Sequence, residues 1–73
     1  MPTDAQILMS LRDGLETIVR SPVDRESKIK LATDLKYQIF KRLINNGVSA
    51  ADAEDLMHAV AKEVHTQLKP EAV

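Results

Sequence analysis

The sequence predicts an all-α domain, a small three-helix bundle with short turns and a long central helix. Three observations carry this. Apolar residues recur at spacings of three and four in three successive stretches, the period of a helix with one buried face. Two short groups of cap and stop residues, Ser21-Pro22 and Asn45-Asn46-Gly47-Val48-Ser49, separate those stretches. No segment reads as a strand, an internal repeat or a low-complexity tract. At 73 residues the chain makes one domain, with helices expected over 4–20, 22–46 and 50–69.

The first helix should begin after Thr3, whose hydroxyl can cap while Gln6 answers from three residues on, as in a capping box. Ile7, Leu8, Leu11, Leu15, Ile18 and Val19 then fall in one arc, roughly 120° wide at 100° per residue. Arg12, Asp13, Glu16 and Arg20 lie outside it. Gly14 falls on the polar side, where it costs roughly 1 kcal/mol against alanine. Close approach of a neighbouring helix is one reason for such a glycine.

Ser21 and Pro22 are expected to end that helix and start the next, because a residue before proline avoids the helical region and proline suits a first helical turn. Asp24 repeats the capping spacing three residues after Ser21. The charged run from Asp24 to Lys28 should project beyond the core.

The stretch from Ile29 to Ile44 is expected to organise the rest. Leu31, Ala32, Leu35, Ile39 and Leu43 make one face, and Ile29, Tyr37, Phe40 and Ile44 make a second, adjacent one. Two stripes on one helix imply cover from two sides, by both flanking helices or by another copy of the chain. The point to decide is whether Tyr37 and Phe40 are buried within the monomer or only when a second chain arrives.

Gly47 can take the left-handed conformation that stops a helix. Ser49 then caps the last helix, Asp52 is the acid of its first turn, and Val48 can staple onto Ala53. Ala53, Leu56, Met57, Val60, Ala61, Val64 and Leu68 form its narrow stripe. Pro70 ends it, with Glu71 to Val73 as a frayed tail.

Composition bounds the function. So small a core leaves little surplus stability, and domains of this size often add a disulfide, a metal or a second subunit. The absence of cysteine excludes a disulfide, a thiolate nucleophile and sulfur-ligated metal. The net charge of -1 gives no overall attraction to a polyanion. Its distribution is uneven: Arg25, Lys28, Lys30, Lys36, Lys41 and Arg42 outweigh Asp24, Glu26 and Asp34, whereas acids prevail after Ser49. The N-terminal stretch lacks the basic start and long apolar run of a secretory signal, and no segment approaches the roughly 20 apolar residues of a membrane span. A cytoplasmic location without membrane contact is the expectation.

Around the second turn, Gly47 stands where a turn glycine belongs, Val48 follows as an apolar turn residue, and Ala53 and Leu56 occupy apolar positions of the next helix. Over roughly the 20 residues from Ile39 to Met57 this resembles the helix-turn-helix DNA-binding motif. Leu43 departs from it, since a small residue is preferred where the two helices meet. The resemblance implies a recognition helix exposing Ala50, Ala51, Asp52, Glu54 and Asp55, with no base before Lys62. Such a surface would be repelled by DNA. An ordinary capped turn explains the same residues. The alternative nucleic-acid route is Lys30, Lys41 and Arg42 of the middle helix, with Asp34 between the two lysines.

His58 and His65, with Glu54 one turn before His58, are the metal or acid/base candidates. Two histidines seven residues apart are separated by roughly 10 Å along a helix axis, too far for one ion. Ser10, Ser21, Ser27 and Ser49 read as helix surface or caps, and there is no Gly-rich phosphate loop. No catalytic residue, metal, cofactor or small-molecule substrate is therefore expected. The sequence points to a non-catalytic protein-protein interaction or adaptor module that associates with itself as a homodimer through Ile29, Tyr37, Phe40 and Ile44. A small DNA-binding regulator built on the turn at Gly47 is the alternative.

Overall fold

The computed structural model describes residues 2–68, with side chains as far as residue 66. Three helices follow one another: α1 (Asp4–Arg20), α2 (Arg25–Asn45) and α3 (Ala50–Leu68). Thr3 and Gln6 form the expected capping box, each side chain bonding the other's backbone amide at 3.2 and 2.9 Å. α2 is the longest helix at 21 residues. Lys69 and the segment after it lie outside the described residues.

The helices run up, down and up. Asn46, just past α2, reaches Pro2 and Asp4 at the start of α1, while Lys28 near the start of α2 reaches Val19 near the end of α1. These contacts make α1 and α2 antiparallel. Arg12 of α1 pairs with Glu63 of α3 at 3.5 Å, and Asp4 shares a depression with Asp52, so α1 and α3 point the same way.

The core consists of Ile7, Leu11 and Leu15 from α1, Ile39 and Leu43 from α2, and Ala53 and Val64 from α3. Leu8, Ala32, Leu35, Phe40, Val48, Met57, Val60 and Ala61 pack around it, half-buried. α1, not α2, supplies the most buried side chains, and it packs against both neighbours more extensively than they pack against each other. The organising role expected of Ile29 to Ile44 belongs to the first helix. Its stripe is buried at Ile7, Leu11 and Leu15 and open only at its end, where Val19 is 46% exposed, whereas α2 buries only Ile39 and Leu43.

Three further expectations change. α2 begins at Arg25, not Pro22, because the chain needs residues 21–24 to reverse direction. Ser21 stays extended and donates its amide to Ile18 O, finishing α1, and Asp24 is the N-cap that accepts from the Ser27 amide at 3.3 Å. Asp and Ser cap about equally well, but a carboxylate also meets the positive end of the helix dipole. The charged first turn of α2 does not simply project: Lys28 Nζ donates to Val19 O at 2.7 Å, satisfying a carbonyl that α1 leaves open at its end. Leu31 is 45% exposed. It stands about 80° around the helix from Ile39, outside the line through Ala32, Ile39 and Leu43 that enters the core.

Gly14 lies beneath Leu35, where a Cβ would meet Leu35 Cδ2 at 2.5 Å. The glycine thus admits a leucine of the adjacent helix at a point where α1 would otherwise present a methyl group.

Candidate interaction face on the second helix

The caps at both ends of α2 determine how much of it is presented. At its start, hydrogen bonds from the Ser27 hydroxyl and amide hold the Asp24 carboxyl below its ordinary 3.8. At its end Gly47 takes φ +96°, Val48 donates its amide to Leu43 O and Gly47 donates its own to Ile44 O, both at 3.0 Å. That pair of bonds is the Schellman motif. Val48 then packs against the core, and Ser49 Oγ accepts from the Asp52 amide at 3.2 Å to open α3. α2 is therefore held at both ends and does not depend on its outer face for its shape.

Of the four residues expected to bind a partner, Ile29 is 55% exposed, Tyr37 60% and Ile44 38%. Phe40 is half-buried and packs against the core cluster. The monomer thus engages Phe40 and leaves Tyr37 in solvent. The phenol ring of Tyr37 is not bare, since Lys41 Nζ lies 5.3 Å from its centroid. Thr33, also exposed, fills the interval between Ile29 and Tyr37. Sequence reasoning passed over it because a hydroxyl was counted as polar, although its position four residues from each neighbour was the available signal. Together these residues make one apolar strip about 22 Å long at 1.5 Å per residue.

The bases proposed for nucleic acid do not share one surface. Lys30 and Lys41 lie within about 20° of each other on the polar side of α2, with Asp34 between them. Arg42 lies about 100° farther round and lines a small depression of about 170 Å³ with Pro2, Ile7, Asn45 and Asn46. The exposed first turns of α3 carry Asp52, Glu54 and Asp55. Asp52 and Asp55 join Asp4, Val48 and Leu56 around an open depression of about 590 Å³, a negative surface at the end of the bundle.

His58 is exposed and lines a shallow depression with Lys36, Glu54, Met57 and Ala61, whereas His65 lies exposed two turns farther along α3. Among the described residues no three His, Asp or Glu side chains are grouped to hold a metal ion, and no helix is long and apolar enough to cross a membrane.

Compared with known protein families, curated proteins and solved structures, the chain matches none.

Proposed function

We propose that this chain is a non-catalytic interaction module that binds protein through the outer face of α2, and that the first partner is a second copy of itself. One observation supports the reading: Ile29, Tyr37 and Ile44 lie within about 80° of one another on α2 and are left exposed by the monomer, with Thr33 and half-buried Phe40 between them, on a helix capped at both ends. Surface apolar residues are ordinary when scattered, but a contiguous strip between charged flanks is the pattern of an interaction site. A small core adds the energetic motive, because burying this strip offsets chain entropy that the monomer opposes with little surplus.

A contact about 22 Å long along one helix is small beside the roughly 800 Å² per partner of a standard interface. The association is accordingly weak, at micromolar concentrations. Sedimentation velocity from about ten to several hundred micromolar tests it. The sedimentation coefficient should rise with concentration, and Ile44→Glu or Tyr37→Glu should hold the protein monomeric without loss of helicity. A wild-type chain that remains strictly monomeric over that range would remove the self-association.

A further inference from the structure

The strip on α2 has a register. From Thr33 its members recur at intervals of four, three and four, through Tyr37 and Phe40 to Ile44, the spacing of a helix-helix seam over about one and a half heptads, with Lys30 in the position before it. Charged residues border it. Asp34 follows Thr33 and Lys41 follows Phe40 on one edge, and Lys36 precedes Tyr37 on the other; all three are exposed. Lys41 is held at the seam by its position over the Tyr37 ring. Asp34 makes no ion pair among the described residues of the monomer.

We infer that α2 pairs antiparallel with α2 of a second copy, so that Asp34 of each chain meets the partner's Lys41. The inference rests on the self-association proposed above and specifies its geometry. With Tyr37 level with the partner's Phe40, and Thr33 with the partner's Ile44, Asp34 and the partner's Lys41 share an edge. They are offset by about two residues, roughly 3 Å along the axis. On the same edge Lys41 stands about 7 Å along the axis from the partner's Lys41, and Asp34 about 13 Å from the partner's Asp34. Opposite charges are therefore adjacent and like charges are apart. A two-fold axis makes the Asp34–Lys41 pair occur twice, as an isologous interface requires.

The parallel arrangement fails on the same residues. In parallel helices the edge residue before one seam position faces the edge residue five places later on the partner. Lys36 would face the partner's Lys41, twice, beside a seam that excludes water. The antiparallel pair puts Lys36 and the partner's Lys41 on opposite edges, leaving Lys36 about 7 Å along the axis from the partner's Lys36, and Glu54 of the same chain shares a depression with Lys36.

Charge reversal in the full chain, read by sedimentation equilibrium, tests this. D34K and K41D each place like charges at both symmetric contacts and should weaken homodimerisation about tenfold or more. The double variant D34K/K41D should return to within about threefold of wild type. Mixing the two single variants should give a heterodimer tighter than either homodimer, because both contacts between positions 34 and 41 then join opposite charges. Circular dichroism keeps the comparison to folded chains. A K41D variant that dimerises more tightly than wild type would show the parallel arrangement and overturn the inference. Single variants without effect, or a double variant that fails to recover, would also overturn it. If Ile44→Glu still abolished the wild-type dimer in those cases, the pairing would fall and the self-association would stand. A wild-type monomer throughout would remove both.

Discussion

Leu35 closes over Gly14: a Cβ placed on the glycine would come within 2.5 Å of Leu35 Cδ2 and 3.3 Å of Cδ1. Two effects of similar size oppose each other there. Alanine would raise helix propensity by roughly 1 kcal/mol, while displacing a leucine tip carries an overpacking cost of about 1 kcal/mol where the side chain is half in solvent and can rotate. Gly14→Ala should leave stability within about 1 kcal/mol of wild type by urea unfolding. Gly14→Val, bulkier and β-branched, should lose about 2 kcal/mol. Leu35→Ala should cost about 1 kcal/mol less in the Gly14→Ala background than alone. Strict additivity would mean that the two residues do not touch.

Gly47 isolates backbone strain from packing. Its φ is +96° and, apart from the glycine and its two chain neighbours, no heavy atom lies within 4 Å of where a Cβ would stand. Gly47→Ala should therefore cost about 1–2 kcal/mol through conformation alone, lowering Tm by about 4 °C or more for a domain of this size. Gly47→Asn, which tolerates the left-handed region better, should cost less. Equal losses for the two would point to a packing role.

Asp24 contributes to the acid side of the stability profile. Its folded carboxyl titrates below 3.8 because the Ser27 hydroxyl and amide donate to the ionised form. A depressed folded value contributes stability that is present above the unfolded value and lost as pH falls through the folded one. Asp24→Ala should lower Tm at pH 7, and its difference from wild type should shrink steadily below about pH 4. Asp24→Asn, still a good cap, should retain most of the helicity with a flatter acid profile. Thermal melts at pH 7, 4 and 2.5 separate these outcomes, and a constant difference across them would count against the carboxylate.

Asn46 ties the end of α2 to the start of the chain. Its Nδ2 donates to Pro2 O at 3.1 Å and to Asp4 Oδ1 at 2.8 Å. Asn46→Asp replaces a donor with a third acceptor and should destabilise the fold by about 1–2 kcal/mol at pH 7. The loss arises from facing carboxylates, so it should diminish as pH falls through the carboxylate range. Asn46→Ser, which removes the bonds without adding charge, should cost about 1 kcal/mol with no such pH dependence.

Much of the fold was legible because its signals are local. The Thr3–Gln6 box, the Gly47 stop, the Ser49 cap and the three apolar periods are each complete within a few residues, and a helix end depends chiefly on which side chain reaches which nearby amide. The start of α2 shows the limit of that reading. Ser21 was expected to cap with Asp24 answering from three residues on, but Asp24 itself is the cap, because residues 21–24 turn the chain back along α1.

By itself the sequence determined that there are three helices, where α1 begins, how α2 ends, and that α2 carries more apolar surface than one neighbour covers. Tertiary structure alone decided how that surface is divided. Ala32, Ile39 and Leu43 turn inward, Leu35 settles over Gly14, and Leu31, Ile29 and Tyr37 remain in solvent. The physical reason is that periodicity fixes which residues share a face, whereas burial depends on the rotation of the helix and the width of its neighbours. α1, with its compact stripe, lies against both other helices, and what it leaves uncovered on α2 is the face from which the proposed function is read.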